Sequence, residues 1–189
     1  QWSSSAASDV YKRQVLYQII NIMGNIMKKT LLTIFMLVLS KGMVFAAIPT
    51  KPLLTLETAS KMAKECLNFA TDKGWKINIA IFESPGSLKY YASMDGTYPA
   101  SEEISRLKGK TSASLPFSTK ELAQMAFNNE NKNEGIASLP NIALLPGGVP
   151  FILKNGYHLG GVGVSGSSGK NDEECATIAV NKGLEKIYD

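Results

Sequence analysis

An asparagine–glycine pair late in the chain limits the possible folds more than any other feature. Asn155 and Gly156 separate two apolar runs, residues 149–154 and 157–165. Asn-Gly between alternating apolar residues is the strongest short-range signal for a β-hairpin, because both central positions of its tight turn require positive φ. Two neighbouring antiparallel strands are therefore predicted here.

A second hairpin is predicted earlier in the chain. Isoleucines alternate with smaller or polar residues over 77–81, which indicates a strand with one well-buried face. A Ser-Pro-Gly-Ser turn follows at 84–87, and residues 88–94 return as the partner strand. A short apolar run over 141–145 predicts one further strand.

Helices are predicted between and around these strands. Thr55 is a typical N-cap before a helical apolar stripe that ends at Gly74. Another helix is predicted over 101–114, and capping-box patterns at 118–121 and 171–174 begin two more. The resulting order, αββααβββα, predicts an α/β fold of the α+β type, with a five-stranded antiparallel sheet flanked by helices.

The first 46 residues differ from the rest of the chain. Residues 1–26 have no clear hydrophobic period and no initial methionine, and we interpret them as a non-native or disordered leader. Met27 is followed by two lysines and by an apolar run over 31–39, as in a secretory signal peptide. A signal peptide is therefore predicted over 27–46.

The end of this signal peptide is predicted from small residues near Ala46. Val44 and Ala46 occupy the positions that a signal peptidase prefers, so residues 47–189 would form the exported domain. The alternative is a membrane anchor, but a spanning helix needs about 20 apolar residues. Lys41 interrupts this run too early, so no stable anchor is expected after cleavage.

The net charge of the whole chain differs from that of residues 47–189. The chain has 20 basic and 16 acidic residues, a net charge of +4. Five of the basic residues and one acidic residue lie within 1–46, which leaves 15 of each sign in residues 47–189. A neutral domain gives no electrostatic reason to expect nucleic-acid binding.

Cys66 and Cys175 are the only cysteines. Each lies on the apolar side of a predicted helix, and their spacing matches no metal-binding motif. Two separate buried thiols are the favoured interpretation, although an exported protein could oxidise them to a disulfide.

Two features that suggest ligand chemistry are weak by themselves. Residues 161–166 fit G-x-G-x-x-G, but they lie on a predicted antiparallel strand and not in a βαβ unit, so close packing is the favoured explanation. His158, the only histidine, could ligate haem iron or could be an exposed strand residue near the hairpin.

Several short motifs together are more informative. In order along the chain they are Met94-Asp95-Gly96, the helix segment 104–113 with Lys108 and Thr111, Phe117-Ser118-Thr119, Gly147-Gly148-Val149-Pro150, residues 155–166, and Asp172 to Ala176. These motifs resemble those of the GlcG/HbpS family, and the resemblance spans nearly all of residues 47–189.

The resemblance implies a profilin-like three-layer fold, homo-oligomers, and haem or a related tetrapyrrole as the cofactor. In this family the helix with the K-x-x-T pattern lies by the ligand pocket, which makes Lys108 and Thr111 candidate cofactor-binding residues. They share one helical face and could contact a propionate and the iron. The alternative is a solvated lysine and a threonine that packs the helix. Asp95 and His158 complete the candidate set, and catalytic and metal-ligating residues are left open.

One departure from the family pattern concerns the same helix. The small residue after Lys108 is Gly109, and glycine weakens a helix by about 1 kcal/mol relative to alanine.

Three functions remain open. The first is an exported, periplasmic or secreted haem-binding protein that scavenges or senses haem. The second is an enzyme of the same fold that degrades haem or acts on a small organic acid. The third is a non-catalytic oligomeric interaction module. The sequence contains no strong catalytic constellation, so enzymatic activity is left undecided.

Overall fold

The computed structural model describes residues 4–39, 51–127 and 132–184. The chain divides into two compact units, Gln1–Pro49 and Thr50–Asp189. The helices and strands are α1 Ser4–Leu39, α2 Leu56–Asp72, β1 Asn78–Glu83, β2 Ser87–Ser93, α3 Ala100–Ser114, α4 Thr119–Phe127, α5 Glu134–Ala137, β3 Gly148–Ile152, β4 His158–Ser165 and α6 Gly169–Gly183.

In the first unit, the described residues form the long helix α1. It covers most of the predicted leader and the apolar run of the predicted signal peptide, and its large apolar side chains are exposed where they are described. Residues 9–36 are long and apolar enough to cross a membrane, a property shared by signal sequences near an N-terminus. The predicted cleavage site after Ala46 lies outside the described residues.

The second unit contains an antiparallel sheet with the strand order β2-β1-β4-β3. Both predicted hairpins are present, β1 with β2 and β3 with β4, and the central pair β1–β4 is also antiparallel. The loop around Asn155-Gly156 is longer than predicted, since the strands are separated by residues 153–157. Gly156 has a φ of 81° in this loop, as the Asn-Gly signal requires.

The prediction of a fifth strand at 141–145 is wrong, because the described part of this sheet has four strands. The backbone of this segment bonds to helices instead. The Ala143 amide donates to Thr111 Oγ1 at 3.0 Å, and the Leu145 carbonyl accepts from Thr119 Oγ1 at 2.6 Å. Asn141 has a φ of 60°, which an extended strand does not allow.

The helices lie close to the positions that the sequence predicts, except that α6 begins earlier. Thr55 caps α2, and Ser118 and Glu121 form the predicted capping box of α4. The predicted box at 171–174 is wrong, because α6 begins at Gly169 and its N-cap is Ser168, which accepts from the Asn171 amide. The four-residue helix α5 was not predicted.

One face of the sheet packs against α2 and α6 through an apolar core. Ile79 and Ile81 of β1 lie beside Val164 and Val162 of β4 on this face. Cys66 and Cys175 form a disulfide between the two helices, with 5.0 Å between their Cα atoms. The favoured interpretation of two separate thiols is therefore wrong: the helices bring the apolar sides that carry these residues within disulfide range.

The opposite face of the sheet packs against α3. Strand β1 is therefore buried on both faces, whereas its alternating pattern predicted only one. Asn78 and Ala80 lie on the α3 side, and the Asn78 side-chain amide donates to Ser101 Oγ at 2.7 Å. The domain consequently has three layers, α2 and α6, the sheet, and α3.

Candidate functional site

Glycines on β4 place α3 unusually close to the sheet. A Cβ built on Gly163 would overlap the Ser105 carbonyl oxygen and the Gly109 amide nitrogen. A Cβ on Gly161 would lie 2.7 Å from the Gly109 carbonyl oxygen. The helix backbone therefore rests directly on the strand backbone, which confirms the packing explanation of the G-x-G-x-x-G pattern.

Gly109 is the matching residue on the helix. A Cβ there would lie 2.9 Å from the Ala80 carbonyl oxygen and 2.9 Å from the Gly163 amide nitrogen. Glycine at this position lowers the helix propensity of α3, but it leaves the room that α3 needs to cross β4 so closely.

Lys108 extends from α3 into the protein interior, where it is only 2% exposed. Its Nζ donates to the Val164 carbonyl oxygen at 2.8 Å and to Asp172 Oδ2 at 3.0 Å. Asp172 Oδ1 also accepts from the Ser167 amide at 3.0 Å. This buried ion pair joins α3 to the first turn of α6, and a Cβ on Gly147 would lie 2.8 Å from Nζ.

Burial dominates the ionisation of this pair. Loss of hydration lowers the pKa of Lys108, while the charges of Asp172 and Glu173 and the hydrogen bond to Asp172 partly oppose that change. Loss of hydration likewise raises the pKa of Asp172 against the attraction of Lys108. For each group, the effect of lost hydration on the pKa is thus larger than the opposing effect of its partner, as is common for buried ion pairs.

Thr111 and His158 also form hydrogen bonds within the domain. Thr111 Oγ1 donates to the Leu107 carbonyl oxygen at 2.8 Å and accepts the Ala143 amide. His158 Nε2 lies 2.8 Å from the Ser112 carbonyl oxygen and 3.0 Å from that of Gly160. Since carbonyls only accept, Nε2 carries a proton and donates to these oxygens.

Asp95 lies apart from these residues, exposed in the connection between β2 and α3. The structure therefore brings Lys108, Thr111 and His158 to the sheet-facing side and the C-terminal half of α3, but not Asp95. None of the four lines the clefts described below, and their roles in ligand binding stay predictions.

The outer side of α3 has a different chemistry. Phe82, Leu107 and Asn141 line a cleft of about 370 Å³, together with the charged residues Glu103, Arg106 and Lys110. The four α3 residues are spaced i, i+3, i+4 and i+7, so they share one helical face. We call this feature the α3 cleft.

Arg106 is held at this cleft by two neighbours. Its guanidinium carbon lies 4.4 Å from the centroid of the Tyr91 ring, and one terminal nitrogen lies 3.1 Å from Glu102 Oε1. Its Nε is buried and has no hydrogen-bond partner among the described residues. A buried donor without a partner is costly.

Sequence reasoning missed the α3 cleft. Its signal was present in the spacing of 103, 106, 107 and 110, but the K-x-x-T pattern directed attention to the opposite face of the same helix. Phe82 and Asn141 could not be assigned to it, because they come from β1 and from the segment predicted as a fifth strand.

Two other clefts have less varied linings. One, at the start of α2, is lined mainly by polar residues and includes Lys61 and Lys64. The other, beside α4, has Lys120 as its one charged residue, with Gln124, Phe127 and Pro146. Within the described ranges no three His, Cys, Asp or Glu side chains are grouped so that they could hold a metal ion.

Comparison with known proteins places this architecture in a family. A family model described as "Haem degrading protein HbpS-like" matches residues 54–181, which include every strand of the sheet and all of α3. The chain belongs to the HbpS-like family. Protein GlcG of Escherichia coli K12 is 31% identical over 116 residues, which are 61% of this chain and 84% of that protein.

Solved structures show the same HbpS-like fold. A double mutant of Streptomyces reticuli HbpS is 27% identical with a TM-score of 0.64, covering 74% of this chain and 92% of that one. Klebsiella pneumoniae ORFY is 24% identical with a TM-score of 0.66, covering 75% and 98%. The haem complex of PduOC is 18% identical with a TM-score of 0.61, covering 68% and 94%; this similarity shows the fold alone.

Proposed function

We propose that this chain is an exported protein that binds haem or a related tetrapyrrole. The observation that carries the proposal is the HbpS-like match over residues 54–181, whose family is described as haem degrading. The haem complex of PduOC is an example of this fold with haem bound.

The α3 cleft matches only the carboxylate edge of such a group. A haem presents a flat apolar ring and two carboxylates; the cleft offers the cations Arg106 and Lys110, but Phe82 is 6% exposed and Leu107 alone presents apolar surface. When bound, the group would supply redox-active iron. The protein would hold the carboxylate edge through Arg106 and Lys110. Lys108 and Thr111 would act indirectly, by fixing the position of α3.

Two observations support export to the periplasm or the medium. The buried Cys66–Cys175 disulfide is a bond that forms and persists in oxidising compartments. The N-terminal apolar helix is compatible with a signal sequence. N-terminal sequencing of the exported protein should give Ala47 as its first residue; a cell-associated chain that retains α1 would contradict cleavage.

A haemin titration of the purified chain tests the binding proposal. We expect a Soret band that saturates at about one haemin per chain in the micromolar range. The same titration of the chain unfolded in denaturant controls for non-specific uptake. Absence of a saturable spectral change on the folded chain would contradict haem binding. Together with a defined oligomer in light scattering, that outcome would favour an interaction module.

A second candidate is haem degradation, which the description of the family favours. Incubation of the haemin complex with ascorbate and oxygen should then bleach the Soret band and release iron with a biliverdin-like product. A band that stays constant with reductant, while binding is intact, would restrict the function to binding. Self-association, which the family resemblance implies, would appear in light scattering as a mass above that of one chain.

A further inference from the structure

We infer that the α3 cleft binds a small zwitterion, an α-amino acid, with its carboxylate toward Arg106 and Lys110 and its ammonium toward Glu103. This activity goes beyond the proposed function and does not depend on it, because a free amino acid brings neither a porphyrin ring nor iron. The two ligands can therefore be tested separately.

The unpaired charges of the cleft carry the inference. Glu103 and Arg106 line the cleft at positions i and i+3 of α3, a spacing at which opposite charges can pair. Arg106 pairs instead with Glu102, at 3.1 Å. Among the described residues, neither Glu103 nor Lys110 forms an ion pair. The lining thus keeps one negative and two positive groups apart, which is the arrangement that a zwitterion complements.

The two cations are held in place by their neighbours. The guanidinium of Arg106 lies 4.4 Å from the centroid of the Tyr91 ring. A Cβ built on Gly86 would lie 3.4 Å from Lys110 Cγ and 3.8 Å from its Cε, so the stem of this lysine runs along the turn between β1 and β2. Side chains restrained in this way lose less conformational freedom when they bind a ligand than unrestrained surface cations do.

Asn141 adds a neutral group from a different part of the chain. It lines the cleft and has a φ of 60°, the single positive φ of a non-glycine residue among those described. The hydrogen bond from the Ala143 amide to Thr111 Oγ1 ties its segment to α3. An asparagine amide has both donors and an acceptor, so it can bond to either end of an amino acid.

The small apolar surface of the cleft limits the side chain of the ligand. Phe82 is 6% exposed, so Leu107 is the one accessible apolar residue of the lining. A single aliphatic contact suits a short side chain and offers little to a large apolar one. L-Alanine is therefore the probe that we choose.

Three analogues separate the contributions of the two ends of alanine. L-Lactate and propionate keep the acid and replace the ammonium by a hydroxyl and by hydrogen, whereas ethylamine keeps the ammonium and lacks the acid. Each is titrated into the full chain by calorimetry and ligand-observed NMR. We expect alanine to bind with a Kd of about 1 mM, and each analogue to bind about fivefold more weakly or less tightly still.

Substitution of Glu103 gives the most distinctive result. Glu103→Gln should weaken alanine by about fivefold and tighten propionate by about twofold, because the same carboxylate attracts an ammonium and repels an acid. An E103Q variant that changes alanine and propionate in the same direction would overturn recognition of the ammonium.

Substitution of the cations tests the other end. Arg106→Gln should weaken alanine and propionate by about tenfold and should not weaken ethylamine, as expected for loss of a charge-assisted hydrogen bond to the acid. K110Q should act in the same direction by a smaller factor. The matched control is K120Q, which alters an exposed helical lysine in the cleft beside α4 and should change nothing.

The remaining outcomes are equally decisive. No saturable binding of alanine at about ten times the expected Kd, or binding that R106Q and K110Q both leave unchanged, would overturn the site. Propionate that binds as tightly as alanine would restrict the cleft to anions and overturn the zwitterion. Glu103 and Lys110 are exposed, so E103Q and K110Q keep the test valid even if R106Q fails to fold.

Discussion

The two faces of the sheet are packed against their helices by different kinds of interaction. On the side of α2 and α6, aliphatic side chains from both helices and both central strands form one apolar core, and the Cys66–Cys175 disulfide links the helices covalently. On the side of α3, the apolar cluster is small and backbone rests on backbone. There a buried ion pair and threonine hydroxyls join the elements.

This difference explains why the candidate site lies on α3. A face held by directional hydrogen bonds and glycine contacts fixes its helix in a single position. Every polar group on the inner side of α3 that we describe, except Ser112 Oγ, is used within the protein. The outer side is thereby presented in a fixed position, with Arg106 and Lys110 available for a ligand.

The largest effect on the α3 side is expected when one partner of the buried Lys108–Asp172 ion pair is removed. Lys108→Met leaves Asp172 buried without its cation, and we expect a loss of about 3–5 kcal/mol of unfolding free energy in urea denaturation. K108M/D172L should recover most of that loss, because two apolar residues carry no hydration cost. A double variant as unstable as K108M would show that the pair specifies the α3 position by more than charge balance.

The opposite face should lose less when its covalent link is removed. Cys66→Ala with Cys175→Ala should destabilise the domain by about 2–4 kcal/mol, since the linked positions are 109 residues apart in sequence. Far-UV circular dichroism should remain native at low temperature, because the apolar core persists. Reduction of the wild type with dithiothreitol in urea should give the same midpoint as the double variant; a lower midpoint for the variant would point to lost packing.

The close crossing of α3 and β4 should be sensitive to a single methyl group. Gly163→Ala should cost about 3 kcal/mol, at the upper end for overpacking, because the atoms in the way are backbone. Gly169→Ala is the control, since its Cβ would meet only the Pro146 ring at ordinary distances of 3.4–3.5 Å. Equal thermal midpoints for G163A and G169A would contradict the crossing geometry.

A smaller effect is expected at Thr111. Thr111→Val keeps the shape of the side chain but leaves the Ala143 amide without its acceptor, which should cost about 1–3 kcal/mol. Thr111→Ser keeps the hydroxyl and should retain that hydrogen bond, at the smaller cost of one buried methyl. Hydrogen exchange at Ala143 should accelerate in T111V and stay slow in T111S. Unchanged protection in T111V would show that this bond does not hold the 141–145 segment.

The smallest effect concerns pH. The raised pKa of Asp172 contributes stability below its ordinary value of 3.8, and this is lost as pH rises through the folded pKa. The lowered pKa of Lys108 contributes stability above 10.5, and this is lost as pH falls through the folded pKa. The stability of K108M/D172L relative to the wild type should therefore be highest near neutral pH, and it should fall toward either extreme by about 1.4 kcal/mol for each tenfold change that folding makes in the proton affinity of the group that titrates there. A constant difference between pH 4 and pH 10 would contradict these directions.

The sequence by itself determined the elements and their family. Hydrophobic periodicity, the Thr55 and Ser118 caps and the Asn155-Gly156 hairpin depend on neighbours within a few residues, so local physics fixes them. The exceptions have identifiable causes. The 141–145 segment looks like a strand, but its backbone bonds to Thr111 and Thr119, which are distant in sequence.

Only the tertiary structure decided what each face of α3 does. Lys108 and Arg106 are both basic residues of one amphipathic helix, and nothing local states which of them is buried. The glycines of β4 decide it, because they let α3 approach in one orientation, which places Lys108 against Asp172 and leaves Arg106 at the cleft. The cysteine pairing has the same origin, since residues 109 positions apart meet only when α2 and α6 pack on the same sheet.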